Sequence, residues 1–216
     1  GEREVVGVIR GEFDKSVAEL ERNTRTTEKM CSLFGTVGKD ELFEKMKNAH
    51  SGEFLSLLRA EKDDIRNIIG EIDNNARTAD SDRERNLWEK VGAAVRAVQD
   101  LASDGVNSET KEMKIAVLSG EIVKNMEELH SGAKERYESA CRGVVAQRSK
   151  GDDLLGAWMA DMSMRIVPQE AWGGVYSLDE KFLVTREKGA KREERFLQSI
   201  GESDGGKTRA MLESVR

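Results

Sequence analysis

The sequence predicts an all-α fold, an elongated antiparallel bundle of three to four helices with a small irregular head. Three observations lead there. Charged residues make up 35% of the chain and aromatics 5%, which starves a thick core but suits narrow apolar seams on solvated helices. A single Pro leaves long stretches free to run as uninterrupted helix. Apolar residues also recur at alternating three- and four-residue spacing, the repeat of one helix face.

In chain order, Val6, Ile9, Phe13, Val17, Leu20, Thr24, Thr27, Cys31 and Phe34 lie on one face of a first helix, which Gly35 closes as its C′ residue. A short charged piece with Leu42, Phe43 and Met46 follows, and then a break at His50-Ser51-Gly52. The second seam runs from Phe54 through Leu58, Ile65, Ile68, Ile72, Ala76, Ala79, Leu87, Val91, Ala94 and Val98 to Leu101. Ser81 and Glu84 in its polar middle have the spacing of a capping box that starts a separate helix. No Gly or Pro occurs between Glu71 and Lys90, however, so the expectation is one helix from Phe54 to Ala102, roughly 70 Å long at about 1.5 Å per residue. A third helix starts after the Asp104-Gly105 turn with Ser108 as N-cap. Its seam passes through Met113, Val117, Gly120, Val123, Met126, His130, Ala133, Tyr137, Cys141 and Val144 to an end near Lys150-Gly151. A weaker, highly charged stripe runs from Ser177 through Phe182 and Phe196 to Ile200. Residues 1–200 are thus expected to form one elongated domain, with 201–216 a flexible linker.

The two cysteines, Cys31 and Cys141, lack metal-site or C-x-x-C spacing. With a single middle helix, the first and third helices run parallel and both cysteines fall at the same end, where a disulfide is geometrically reasonable. Closing a loop of about 110 residues would then stabilise the fold by around 4–5 kcal/mol in the loop-entropy model. If the middle block instead folds into a hairpin at Thr78 to Asp82, the cysteines lie apart as free thiols. The disulfide is the expected state.

That topology brings residues 35–52 and 151–176 to one end as the head. The stretch from Leu155 to Leu178, LGAWMADMSMRIVPQEAWGGVYSL, holds two of the three Trp and the only Pro. Trp158, Met162 and Arg165 share a helical face, Pro168 ends that helix, and Gly173-Gly174 turns the chain. Trp172, Tyr176, Met162 and Arg165, joined by His50 from the other loop, are the candidate partner-binding residues, being of types concentrated at interface cores. Trp158, on a helix face, is expected to be buried.

Little in the sequence points to catalysis. Gly201 to Thr208, GESDGGKT, matches the phosphate-loop pattern in full, but a charged amphipathic stretch precedes it where a buried strand is required. It is expected to be linker. His50 and His130 are too few and too separate for a metal set, and His130 is expected to be a hydrogen-bonded core residue. Acidic pairs such as Asp63-Asp64 and Asp152-Asp153 lie on solvated faces. No enzyme activity, cofactor or metal is therefore expected. The net charge of −6 is spread as mixed signs, without the basic stripe that nucleic acid requires, and no apolar run approaches the roughly 20 residues of a membrane span. The chain begins at Gly1 and is taken as a processed or excised fragment, with any signal peptide or anchor outside it.

The long antiparallel helices, one cysteine on the first and another late in the third, a head at one end and a Gly-rich tail resemble trypanosome helical-bundle surface proteins. The invariant surface glycoproteins, the glutamic-acid/alanine-rich protein and the haptoglobin-haemoglobin receptor form that group. The chain departs from them in lacking an N-x-[ST] sequon and in its modest Ala content. The resemblance implies a cell-surface, membrane-tethered binding or coat protein whose membrane-distal head recognises a host or other extracellular protein. The alternative is an intracellular coiled-coil scaffold that pairs with partner helices.

Overall fold

The computed structural model describes residues 2–48 and 52–148, apart from several side chains near the ends of these stretches. The described residues are all-α, as expected. They form α1 (Glu2–Phe34), α2 (Lys39–Lys47), α3 (Gly52–Ala60), α4 (Lys62–Thr78), α5 (Asp82–Ala102) and α6 (Glu109–Arg148), with no strand among them. The expected helical block at 177–200 lies outside the described residues.

Helix α1 stops where its sequence says it should. Gly35 takes φ of 65°, Thr36 N–H reaches the Cys31 carbonyl at 2.9 Å and Gly35 N–H reaches Ser32, the paired bonds of a Schellman cap. Lys45 on α2 donates to the Phe34 carbonyl at 2.7 Å, satisfying another orphan acceptor at that end. Leu42, Phe43 and Met46 point α2 into the core.

The middle block corrects the expectation of a single long helix. It is three helices. The chain bends at Glu61, whose N–H still bonds Leu57 and whose carbonyl still receives Ile65 N–H. The second break is complete: Ala79 turns extended at ψ of 134°, and Ser81 becomes the N-cap of α5, its hydroxyl accepting Glu84 N–H at 3.2 Å. Helix α5 then folds back on α4, with Arg96 bonded to Asp73 and Gly92 seated against Ile72. A capping hydroxyl made the break that no Gly or Pro announced. The seam itself survives, since Phe54, Leu58, Ile65, Ile68, Ile72, Leu87, Val91, Ala94 and Val98 are all buried.

Helix α6 starts as expected, with Ser108 accepting Lys111 N–H at 3.2 Å after Gly105 at φ of 72°. Its first turns bury a different face. Ile115, Ser119, Ile122 and Val123 face inward, while Met113 and Val117 remain 65% and 64% exposed.

The described residues fall into two compact units. Residues 22–133 form one, and a single core joins side chains from Met30 in α1 to Leu129 in α6. Residues 2–21 and 134–148 belong to the other, where Phe13 packs against Tyr137 with ring centroids 5.6 Å apart and Arg136 holds Glu12 and Glu19 at 2.9 and 3.1 Å.

Candidate functional site

Within residues 22–133, two features are built from more than ordinary packing. The first grows out of the Ser81 cap. Fixing the first turn of α5 sets Glu84, at its third position, facing α1, where it is fully buried. Arg22 meets it with both arms of its guanidinium, Nε donating to Oε2 at 2.8 Å and Nη2 to Oε1 at 2.6 Å. One turn further on, the indole N–H of Trp88 donates to the same Oε2 at 2.9 Å, and Asp80 lies 3.7 Å from Arg22 Nη2. A buried carboxylate that accepts three donors inside a sealed core is a brace between α1 and α5, since proton transfer requires a position that a reactant can reach. A neutral bond, Asn75 Nδ2 to Thr26 Oγ1 at 2.6 Å, ties α4 to α1 in the same manner.

The second feature is a cavity of about 40 Å³ to which all six helices contribute. Phe34, Met46, Phe54, Ile68, Val98 and Ser119 stand for α1 to α6 in turn. The Phe34 and Phe54 rings stack at 5.4 Å, tilted by only 9°, to form one wall. No acidic, basic or imidazole side chain lines the cavity, and the polar residues in its wall are Gln99 and Ser119. Ser119 is fully buried, and its Oγ has no hydrogen-bond partner.

Titration is perturbed elsewhere. Burial pushes the Cys31 thiol up, partly offset by the Thr36 hydroxyl and Gly38 N–H beside it, and burial also raises Glu28. A hydrogen bond shared with Asp64 raises Glu61, whereas the Lys111 ammonium and Val106 N–H lower Asp104. None of these groups lines the cavity. Among the described residues no cluster of three or more His, Cys, Asp or Glu could hold a metal ion, and no helix is long and apolar enough to cross a membrane.

The residues singled out from sequence are placed unevenly. Trp172, Tyr176, Met162, Arg165 and His50 lie outside the described residues, as do Trp158 and the Gly201 to Thr208 stretch. His130 is half-buried on α6. The expected Cys31–Cys141 disulfide is corrected: Cys31 is a free, buried thiol packed in the core. The bond rested on a single middle helix, and α4 and α5 form a hairpin instead. Cys141 belongs to α6, with its side chain outside those described.

Sequence reasoning passed over Arg22, Trp88 and Ser119. A Glu followed four residues later by a Trp on a helix start was the available signal for the first feature. The chain matches no known protein family, no curated protein and no solved structure.

Proposed function

We propose that this chain is a non-enzymatic binding or coat ectodomain of a cell surface, tethered through an anchor outside residues 1–216, with a helical bundle as its body. Recognition of a host or extracellular protein is assigned to a head formed by residues 151–176 and the loop around His50. One observation carries this reading. Every aromatic side chain among the described residues is buried: Phe13, Phe34, Phe43, Phe54, Trp88 and Tyr137. Interface energy concentrates in a few aromatic and Arg anchors, so the described helices offer a partner little to grip, and the remaining aromatic-rich stretch, with Trp172 and Tyr176, is where such anchors lie.

The experiment has two arms. Impermeant biotin labelling of intact source cells, compared with permeabilised ones, reads location; labelling only after permeabilisation overturns the surface assignment. Hydrogen exchange on the complex reads the footprint, and Trp172→Ala should weaken binding by roughly 2 kcal/mol with helicity retained. Protection centred on α4 and α5 would instead remove the head from the reading. A second reading, an intracellular scaffold pairing with partner helices, is favoured by the free Cys31 thiol, because reducing compartments keep cysteines unpaired.

A further inference from the structure

We propose that the outward face at the start of α6 pairs with the same face of a second copy of this chain, antiparallel, about a two-fold axis beside Val117. Met113 and Val117 lie one helical turn apart on that face and are 65% and 64% exposed. Gly120 continues the face at three-residue spacing, and a Cβ built on it would meet nothing within 4 Å. Two apolar side chains beside an open hollow supply both the knob and the hole of a helix–helix contact.

Charge names the occupant. Lys114 and Glu121, both exposed, border the apolar pair on one side, because they are seven residues and so two turns apart. Among the described residues neither is engaged in an ion pair. Their midpoint falls beside Val117. A second α6, turned end for end about that point, brings Glu121 of each copy opposite Lys114 of the other. The same rotation sets Val117 against Val117 and Met113 over the hollow at Gly120. Every such contact occurs twice, as an interface between identical surfaces requires. A parallel pair would instead set Lys114 against Lys114 and Glu121 against Glu121, and like charges disfavour it.

The contact is small. Its apolar part is two side chains and a glycine, with no aromatic anchor of the kind that carries tight interfaces. It therefore belongs with the weak, transient associations that bury less than about 1,200 Å². Recognition of a different protein through the head is a separate property, and this pairing does not depend on it.

The test is sedimentation equilibrium of the full chain, loaded from about 10 µM to about 1 mM, the range in which a small contact is populated. A reversible monomer–dimer equilibrium is expected. Val117→Lys should abolish the dimer across that range, and Lys114→Glu should weaken it about tenfold. Combining Lys114→Glu with Glu121→Lys restores opposite charges across the axis and should return the affinity to that of the unaltered chain. All three positions are exposed, so each variant should keep its circular dichroism. A chain that stays monomeric, a dimer indifferent to Val117→Lys or to Lys114→Glu, or a charge exchange that fails to rescue would each overturn the proposal.

Discussion

Removing the Glu84 carboxylate should be among the most damaging single changes in residues 22–133. In Glu84→Ala, Arg22 keeps its charge on a side chain only 7% exposed, and the buried Trp88 N–H loses its acceptor. Breaking a buried ion pair from one side costs about 3–5 kcal/mol, and an orphaned indole donor adds to that on the order of 1 kcal/mol or more. Asp80, 3.7 Å from Arg22 and 24% exposed, offsets part of the loss. We therefore expect a net cost of about 3–4 kcal/mol, measured by urea unfolding followed by circular dichroism with an unchanged m-value. Arg22→Met combined with Glu84→Met removes both charges, so the double variant should lose far less than the sum of Arg22→Met and Glu84→Met made singly, with a coupling energy of about 2 kcal/mol or more. A loss below about 1 kcal/mol for Glu84→Ala, or additive singles, would refute the view that the pair is desolvated and mutually dependent.

Two glycines should respond to Ala with opposite signs. Gly35→Ala forces a Cβ into φ of 65° and should cost about 1 kcal/mol, whereas Gly120→Ala, mid-helix with open space around its Cα, should stabilise by roughly 0.5–1 kcal/mol, both read from thermal unfolding. The Cys31 thiol, buried and raised in pKa, should resist alkylation in the native chain and react at the ordinary rate in denaturant; recovery of a Cys31–Cys141 peptide under non-reducing conditions would reject the free-thiol state. Asp104 should titrate below the ordinary carboxylate range by NMR and rise toward it in Lys111→Ala, with the Val106 N–H still holding it down in part. Because its folded pKa is lowered, the stabilisation it provides is present above the unfolded value and fades as pH falls through the folded one; an Asp104 titration unmoved by Lys111→Ala would count against the pairing.

What was legible in the sequence was which residues go inside. The second seam is buried over most of its length because a 3.6-residue period states the inward face directly. The same period is silent about connectivity, since folding back at Ser81 buries the apolar face of α4 against that of α5 as well as continuing straight would align them with other helices. Only the Ser81 and Glu84 spacing distinguished the two, through a hydroxyl that satisfies an orphan N–H. On α6 two apolar registers compete, Met113-Val117-Gly120 and Ile115-Ser119-Ile122, and side-chain type does not rank them; packing in the folded unit chose the second. Arg22 and Glu84 sit 62 positions apart, so no local pattern announces their pairing.

The turn between α4 and α5 has a consequence for how copies of this chain could associate. Its residues, Ala79, Asp80 and Ser81, all tolerate helical backbone, and the reversal is held by the Ser81 capping hydroxyl, by Arg85 Nη2 donating to the Ala79 carbonyl at 3.1 Å, and by what packs behind them. A straightened hinge would give one continuous helix, and α5 of each molecule would then find its seat on α4 of another. The interfaces already exist, so such an exchange needs no new contact surface, only a concentration high enough to favour the dimer. Replacing Ser81 would remove one of the two bonds that close the turn and leave the seam between α4 and α5 intact, so Ser81 and Arg85 together favour the hairpin within a single molecule.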